Sequence, residues 1–288
     1  MKLALWVVLL LLLGQASSRA ETVLEEVSRT GILTAGTRED ARPFAFRGDD
    51  GQLTGFAVDL LRAITERAAA TLNRPVELQL VPVTAQNRLE MVRDGRIAIE
   101  CGLTTMTWAR EQEVDFSIPF YANGTRVLAL RRTARTLADL ANRQIGVLAG
   151  STTLGIIRAE MPEARPVEVP DMRRGLEMLL NGEIDGLANV GTVLRAQIED
   201  LEGKSRFVLL PAAGSLSWES LACVLPSGDS AWRDLVNQTI AGLLDGVERY
   251  RGRWVEIYER WFGPQGDIFY PLDQSTAERL AALRVWLN

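Results

Sequence analysis

Histidine is absent from the 288 residues. Its absence excludes Ser-His-Asp and Cys-His nucleophilic catalysis and the commonest zinc sites. Lysine is almost absent: Lys2 and Lys204 stand alone, and every other basic residue is an arginine. Basic charge is also in deficit, because without its first 20 residues the chain carries 30 Lys+Arg against 37 Asp+Glu. Nucleic acid is therefore not an expected partner, since there is no cationic excess to neutralise phosphates. The sequence contains no G-x-G-x-x-G, no Walker loop and no G-x-S-x-G elbow. Beyond the first segment no run is apolar enough to span a bilayer. Cysteine occurs twice, at Cys101 and Cys223. In an oxidising compartment a disulfide between them is the economical reading, and two unrelated buried thiols the alternative.

What is present is a globular composition: 47% hydrophobic, 24% charged, with eight Phe, seven Trp and four Tyr. That suits a chain long enough for two domains. Met1 to Ala20 has a basic start at Lys2, an unbroken apolar run from Leu3 to Leu13 and small residues at its end. It reads as a cleaved secretory leader, with an uncleaved anchor as the alternative.

From Ile32 onward strand-like and helix-like segments alternate, which predicts α/β layers. Ile32–Gly36, Val76–Val83 and Ile97–Cys101 read as strands, with helices over Ala57–Ala68 and Gln86–Asp94. Ser117–Gly124 looks like a crossing point. A second set follows: strands at Val127–Leu130, Ile145–Leu148, Val167–Val169 and Ile184–Ala188, with helices opening after Gly150, at Arg173 and at Val193. Ser151 or Thr152 is placed to cap the first of these helices. After Val208–Pro211 the chain returns through a strand at Leu221–Leu225 and two helices. The aromatic stripe Trp254, Tyr258 and Trp261 on the second of them reads as core.

Thr104-Thr105-Met106-Thr107-Trp108-Ala109-Arg110 offers hydroxyls, turn amides and a guanidinium after a predicted strand, a combination suited to a planar carboxylate. A helix cap beside a surface arginine is the plainer alternative. Gly150 to Thr153 is a second anion-friendly element, because a helix N-terminus presents free N–H groups.

The chain resembles the family 3 extracellular solute-binding proteins, the periplasmic amino-acid receptors of ABC importers. The resemblance rests on Arg42-Pro43-Phe44-Ala45-Phe46, Gly51–Leu60, Thr104–Arg110, Val114–Tyr121, Ile145–Thr152 and Gly182-Glu183-Ile184-Asp185-Gly186. Thr84–Arg88, Glu100–Thr105 and Cys223 followed by Trp261-Phe262 make it most similar to the glutamate/aspartate branch. The resemblance implies a two-lobed type II periplasmic binding fold, each lobe a mainly parallel sheet flanked by helices. Residues 21–122 and 214–288 would form the first lobe and 123–213 the second, with hinges near Asn123-Gly124 and Ala212–Gly214. Cys101 and Cys223 would then share one lobe. A monomer working with an inner-membrane permease/ATPase complex, without cofactor or metal, is the implied assembly.

The resemblance also assigns roles. Arg110 would grip a ligand α-carboxylate, beside Thr105 and the Leu103 backbone, and Arg38 and Arg88 would hold a side-chain carboxylate. Leu148, Ser151 and Thr152 would contribute from the second lobe, with Asn189 nearby. Two departures stand out: Val190 where the family places the aspartate that pairs with the ligand ammonium, and Ala41 where many members stack an aromatic ring. Three cleft arginines nevertheless argue for a diacid, glutamate or aspartate first and an amine-free dicarboxylate second. A secreted cyclohexadienyl or prephenate dehydratase on the same scaffold is a further alternative, with Glu219 the nearest general-acid candidate although it reads as structural. A ligand-dead accessory or sensory protein is the last.

Overall fold

The computed structural model describes residues 21–284. The leader expected over Met1–Ala20 lies outside the described residues. Helix α1 (Val23–Thr30) opens the described chain, closed at its start by a capping box between Thr22 and Glu25. It leads into β1 (Ile32–Thr37), the antiparallel β2 (Asp40–Ala41), β3 (Ala45–Arg47) and β4 (Leu53–Thr54), then helix α2 (Phe56–Leu72). Strand β5 (Glu77–Pro82), α3 (Arg88–Arg93), β6 (Ile99–Glu100), α4 (Trp108–Glu111) and β7 (Asp115–Phe116) follow. The chain crosses at β8 (Tyr121–Asn123) into β9 (Thr125–Leu130), β10 (Gln144–Leu148), α5 (Thr153–Glu160), β11 (Arg165–Val169), α6 (Met172–Asn181), β12 (Gly186–Val190), α7 (Gly191–Glu199) and β13 (Phe207–Leu210). It returns through β14 (Glu219–Leu221) and β15 (Val224–Leu225) to helices α8 (Ser230–Leu243), α9 (Arg253–Phe262) and α10 (Gln274–Ala282).

Ten of these strands form two five-stranded sheets, one per lobe, β5-β1-β6-β15-β7 and β11-β10-β12-β9-β13, and the others form the small sheets β2-β3-β4 and β14-β8. The first draws β15 from the returning chain, so that lobe is discontinuous in sequence. Each five-stranded sheet is mixed rather than mainly parallel. Strand β1 is parallel to β5 and β6, and β10 to β11 and β12, but the remaining pairings in both sheets are antiparallel. The antiparallel members sit next to the crossings, where the chain enters or leaves a lobe without the helical crossover that a parallel neighbour needs.

The segment expected as one strand over Leu221–Leu225 is two. Strand β14 pairs with β8, whereas β15 joins the first sheet. Between them the backbone changes partner: the Ala222 N–H donates to the Thr104 carbonyl, and the Cys223 N–H donates to Ser117 Oγ. The β8–β14 ribbon is the crossing, and Gly124 sits at its edge. A methyl group on Gly124 would overlap the Ser217 carbonyl oxygen and the Ser215 side chain, so glycine permits the two crossing segments to touch. Gly124→Ala is expected to cost about 1–3 kcal/mol by overpacking, seen as a Tm lowered by several degrees. An unchanged Tm would remove this account of the crossing.

Helix α2 buries Phe56, Ala57, Leu60, Leu61, Ile64 and Ala68, the face its spacing predicts. On α9 the i, i+4 series Trp254, Tyr258 and Phe262 forms a continuous stack, with ring centroids 5.0 and 4.7 Å apart. Tyr121 of β8 lies stacked against all three rings and edge-on to Phe44 at 4.9 Å. The crossing strand is thereby rooted in the first lobe's core. The buried indoles are satisfied: Trp254 Nε1 donates to the Phe120 carbonyl and Trp232 Nε1 to the Ala98 carbonyl. Trp261 is only partly buried and turns its N–H to Asp59. Among the described residues no helix is long and apolar enough to cross a membrane.

Cys101 and Cys223 are bonded to each other, and both are fully buried. Both belong to the first lobe, beside the β6–β15 pairing.

Candidate functional site

The C-terminal ends of β1 and β6 place Arg38 and Thr104-Thr105 at the edge of the first sheet, and α3 brings Arg88 alongside. The end of β10 and the start of α5 present Leu148, Ser151 and Thr152 from the second sheet. All nine residues singled out from the sequence, Arg38, Arg88, Leu103, Thr105 and Arg110 from one lobe and Leu148, Ser151, Thr152 and Asn189 from the other, line one interlobe cavity of about 20 Å³. A cavity of that size holds about one water. A larger hollow of about 410 Å³ lies behind the crossing near Asn123 and Asp273, and its lining includes none of these residues.

Arg38 is buried, and its Nε and Nη2 both meet Asp40 Oδ1, at 2.7 and 2.5 Å. Arg88 is buried with Nε on Thr104 Oγ1 at 2.6 Å and Nη1 on the Ala85 carbonyl. Thr104 Oγ1 in turn donates to Glu100 Oε2 at 2.7 Å, so the hydroxyl links the guanidinium to the carboxyl group. Burial pulls the Arg88 guanidinium down to about 9, with Glu100 opposing and Arg110 and Arg38 reinforcing the fall. It stays protonated at neutral pH. Burial pushes the Glu100 carboxyl up, against the pull of Arg88.

The three arginines therefore speak for a diacid less strongly than their number suggests. Arg38 has a carboxylate partner of its own in Asp40, and Glu100 stands across Thr104 from Arg88. Among the described residues, however, neither Arg88 nor Arg110 has a carboxylate oxygen within 4 Å.

Arg110 reaches across the cleft. Its Nη1 donates to the Thr105 carbonyl at 2.7 Å and its Nη2 to the Gly150 carbonyl of the other lobe at 3.2 Å. Gly150, with φ +74°, lets the lobes approach: a methyl group there would stand 3.0 Å from the Ala85 carbonyl oxygen. Burial lowers the Arg110 pKa, with Glu100 and Glu219 opposing. The helix-cap reading of this stretch also holds, for Thr107, whose Oγ1 accepts from the Arg110 N–H at the start of α4.

The capping expected at Gly150–Thr153 does not form. Thr152 is helical at φ −71°, ψ −18°, and makes no cap bond with its side chain. Its hydroxyl donates instead to Glu219 Oε2 at 2.7 Å, and Ser151 Oγ donates to the Leu148 carbonyl. Asn189 lines the cavity but spends its amide elsewhere, Oδ1 accepting from the Val190 N–H and Nδ2 lying 2.9 Å from Met172 Sδ. Val190 is buried in the cavity wall, and Ala41 is buried in β2 away from it. Sequence reasoning did not mark Glu100 as part of the site. The signal was present: one acid ends the otherwise apolar stretch Ile97-Ala98-Ile99 before Cys101.

Two mixed α/β lobes, two crossing segments and a polar cleft between them define a two-lobed binding protein of the type II periplasmic class. Solved structures bear out the fold. The ancestral amino acid-binding protein AncCDT-1, a precursor of cyclohexadienyl dehydratase, superposes with a TM-score of 0.70 over 84% of this chain and 99% of that chain, at 23% identity. Residues 33–264 match the bacterial extracellular solute-binding proteins, family 3, and the chain belongs to that family. Among curated relatives, the L-glutamate/L-aspartate-binding protein of Pseudomonas aeruginosa is 25% identical over 90% of this chain and 87% of its own length. The L-cystine-binding protein TcyJ of Escherichia coli is 26% identical over 84% of this chain and 87% of its own. The family serves amino-acid uptake, and these relatives differ in the solute they bind.

Proposed function

We propose that this chain is an exported, periplasmic receptor that captures an acidic amino acid, glutamate or aspartate, in the interlobe cleft for an ABC permease/ATPase complex in the inner membrane. The observation that carries the proposal is the pair of cleft arginines without a direct carboxylate partner, Arg88 and Arg110. A guanidinium withdrawn from water without a counter-ion is costly, most for the buried Arg88 and less for the half-buried Arg110, and a ligand with two carboxylates relieves both. Arg110 takes the α-carboxylate with Thr105 and the Leu103 backbone. Arg88, with Arg38 beside it, takes the side-chain carboxylate. Leu148, Ser151 and Thr152 close from the second lobe. The relative named for glutamate and aspartate supports the same choice.

A cavity of about 20 Å³ admits no amino acid while the lobes are shut. Entry therefore needs hinge opening, for which periplasmic binding proteins are a standing example. In this reading residues 21–122 and those from 214 onward move as one rigid body and 123–213 as the other. An enzymatic reading needs a general acid at the cavity. Two observations weigh against it: Glu219 accepts four hydroxyl hydrogen bonds, and Glu100 is not among the residues lining the cavity.

The test is thermal denaturation of protein unfolded and refolded to strip ligand, against glutamate, aspartate, glutamine, cystine, succinate, 2-oxoglutarate and prephenate. A ligand at a hundred times its Kd adds about 2.7 kcal/mol, roughly 5 °C or more in Tm for a chain of this size. The expected result is a shift with glutamate or aspartate. A shift only with glutamine or cystine would overturn the acidic assignment. A shift only with amine-free diacids would move the protein to a dicarboxylate receptor or a dehydratase, and no shift at all to an accessory role.

A further inference from the structure

The cleft holds one charge that the arginine anchors leave unexplained. Glu219, on the crossing strand β14, is buried and is the one acidic residue lining the cavity among the described residues. Its Oε2 accepts from Thr105 Oγ1 at 2.9 Å and Thr152 Oγ1 at 2.7 Å, and its Oε1 from Thr125 Oγ1 at 2.7 Å and Ser217 Oγ at 3.0 Å. All four donors are neutral hydroxyls. No Arg or Lys nitrogen of the described residues comes within 4 Å of it. Hydroxyl dipoles occupy the lone pairs but supply no opposite charge, which a buried carboxylate still lacks.

The surroundings say which cation fits. Thr105 is held from two sides, its carbonyl by Arg110 Nη1 at 2.7 Å and its hydroxyl on Glu219. A guanidinium and a carboxylate therefore flank a single residue of the cleft wall. An α-amino acid carries its carboxylate and its ammonium on one carbon and needs a cation and an anion about that close together. The ammonium also needs three acceptors, and three oxygens converge here: Glu219 Oε2 and the hydroxyls of Thr105 and Thr152, which lie 3.4 Å apart. Each hydroxyl keeps its acceptor lone pairs while its proton is donated to Glu219. Val190, in the same wall, offers none of this.

We infer that Glu219 is the counter-charge of the ligand's α-ammonium, a specificity-determining residue that takes over the task Val190 cannot perform. The inference deepens the amino-acid reading above and rests on it. It also gives the ammonium a part in closure, because Thr105 comes from one lobe, Thr152 from the other and Glu219 from the strand that crosses between them.

The test is calorimetric titration of stripped wild type, Glu219→Gln and Glu219→Asp with glutamate, aspartate, glutamine, cystine, 2-oxoglutarate and succinate, with the ligand-free Tm of each variant as a check on folding. The isosteric Gln keeps the shape and most hydroxyl contacts but not the charge, while the shorter Asp keeps the charge but disturbs the contacts. The expected order for every α-amino acid the wild type binds is wild type, then Asp, then Gln, with Gln weaker than wild type by about a hundredfold or more, as when one partner of a buried pair is removed. Affinity for any amine-free diacid is expected to stay within a few fold. If Glu219→Gln does not fold, Glu219→Asp carries the comparison, with a loss confined to ligands that have an amine. A purely structural role would reverse the order, Gln above Asp, or weaken both ligand classes equally, and either result overturns the inference. So does a wild type that binds no α-amino acid. A wild type that prefers glutamine or cystine, with that binding lost in Glu219→Gln, would discard the acidic side-chain assignment and leave Glu219 in its role.

Discussion

Arg110→Ala is expected to remove ligand binding, raising Kd by about a hundredfold or more, while the ligand-free protein melts within a few degrees of wild type. Both halves follow from where the residue sits. Its guanidinium holds two carbonyls, Thr105 on its own lobe and Gly150 on the other, and meets no carboxylate within 4 Å among the described residues. A ligand carboxylate would be its first full counter-charge, gripped by a planar fork. Each charge-assisted bond contributes about 1.5–3 kcal/mol, so losing two costs about 3 kcal/mol at the least, and 1.4 kcal/mol is a factor of ten. Alanine, in contrast, asks little of the fold. The backbone N–H that Thr107 caps is still there, and the desolvation that lowers the Arg110 pKa is relieved rather than incurred. Arg110→Lys keeps the charge and loses the fork, so it should fall between the two. The measurement is calorimetric titration beside a ligand-free melt. Wild-type affinity in Arg110→Ala would overturn the site assignment, and a collapse of the ligand-free Tm would mean that the residue is structural.

Elements with a strong period were legible from the sequence, and those whose form depends on a distant partner were not. Helix α2 announces itself through Ala57, Leu60, Leu61, Ile64 and Ala68, and α9 through Trp254 and Tyr258, because burial on one face imposes the 3.6-residue repeat. The two-residue strands β2 and β4 are too short to show any period. The division at Ala222-Cys223 is invisible locally, since an unbroken apolar run serves equally well for one strand or two and only the positions of Thr104 and Ser117 decide.

The cleft divides in the same way. Arg110, Thr105 and Thr152 were marked by their local patterns and by the resemblance, but the contacts their side chains make within the protein were not. A threonine at a helix start reads locally as a cap, and Thr152 instead spends its hydroxyl on Glu219, 67 residues away in the chain. Nor does the sequence reveal that Arg38 and Arg88 differ in need. One is neutralised by Asp40 two residues on, whereas the other meets Glu100 only through a hydroxyl. Charge balance in a buried site is set by which groups touch, and counting arginines overstated the anionic charge a ligand must bring.

Removing the Cys101–Cys223 disulfide is expected to produce a large loss of stability. The two cysteines are 122 residues apart in sequence, and in the chain-entropy model a loop of that length stabilises by roughly 5 kcal/mol. At about 2–4 °C per kcal/mol for a chain of this size, Cys101→Ala/Cys223→Ala should melt at least 10 °C lower than wild type. The bridge spans the whole second lobe, since β8 to β14 lie between its ends, so the cross-linked unfolded chain retains a closed loop that the double variant lacks. The variant should therefore also expose more surface on unfolding and show a larger m-value in urea. Location sharpens the prediction. Cys101 follows Glu100 directly, Cys223 precedes Val224, and Val224 pairs with Glu100 in the first sheet. The bond thus ties the returning strand to the strand whose end carries the Glu100–Thr104–Arg88 relay. Below the variant's Tm that pairing persists through Ser117 and the β6–β15 register, so ligand affinity should fall only a few fold. Thiol alkylation of unreduced wild type should find no free cysteine. A double variant that melts within about 3 °C of wild type would mean that the unfolded chain gains little freedom when the bridge is lost. A large loss of affinity at a temperature where the variant is folded would place the bridge among the supports of the site itself.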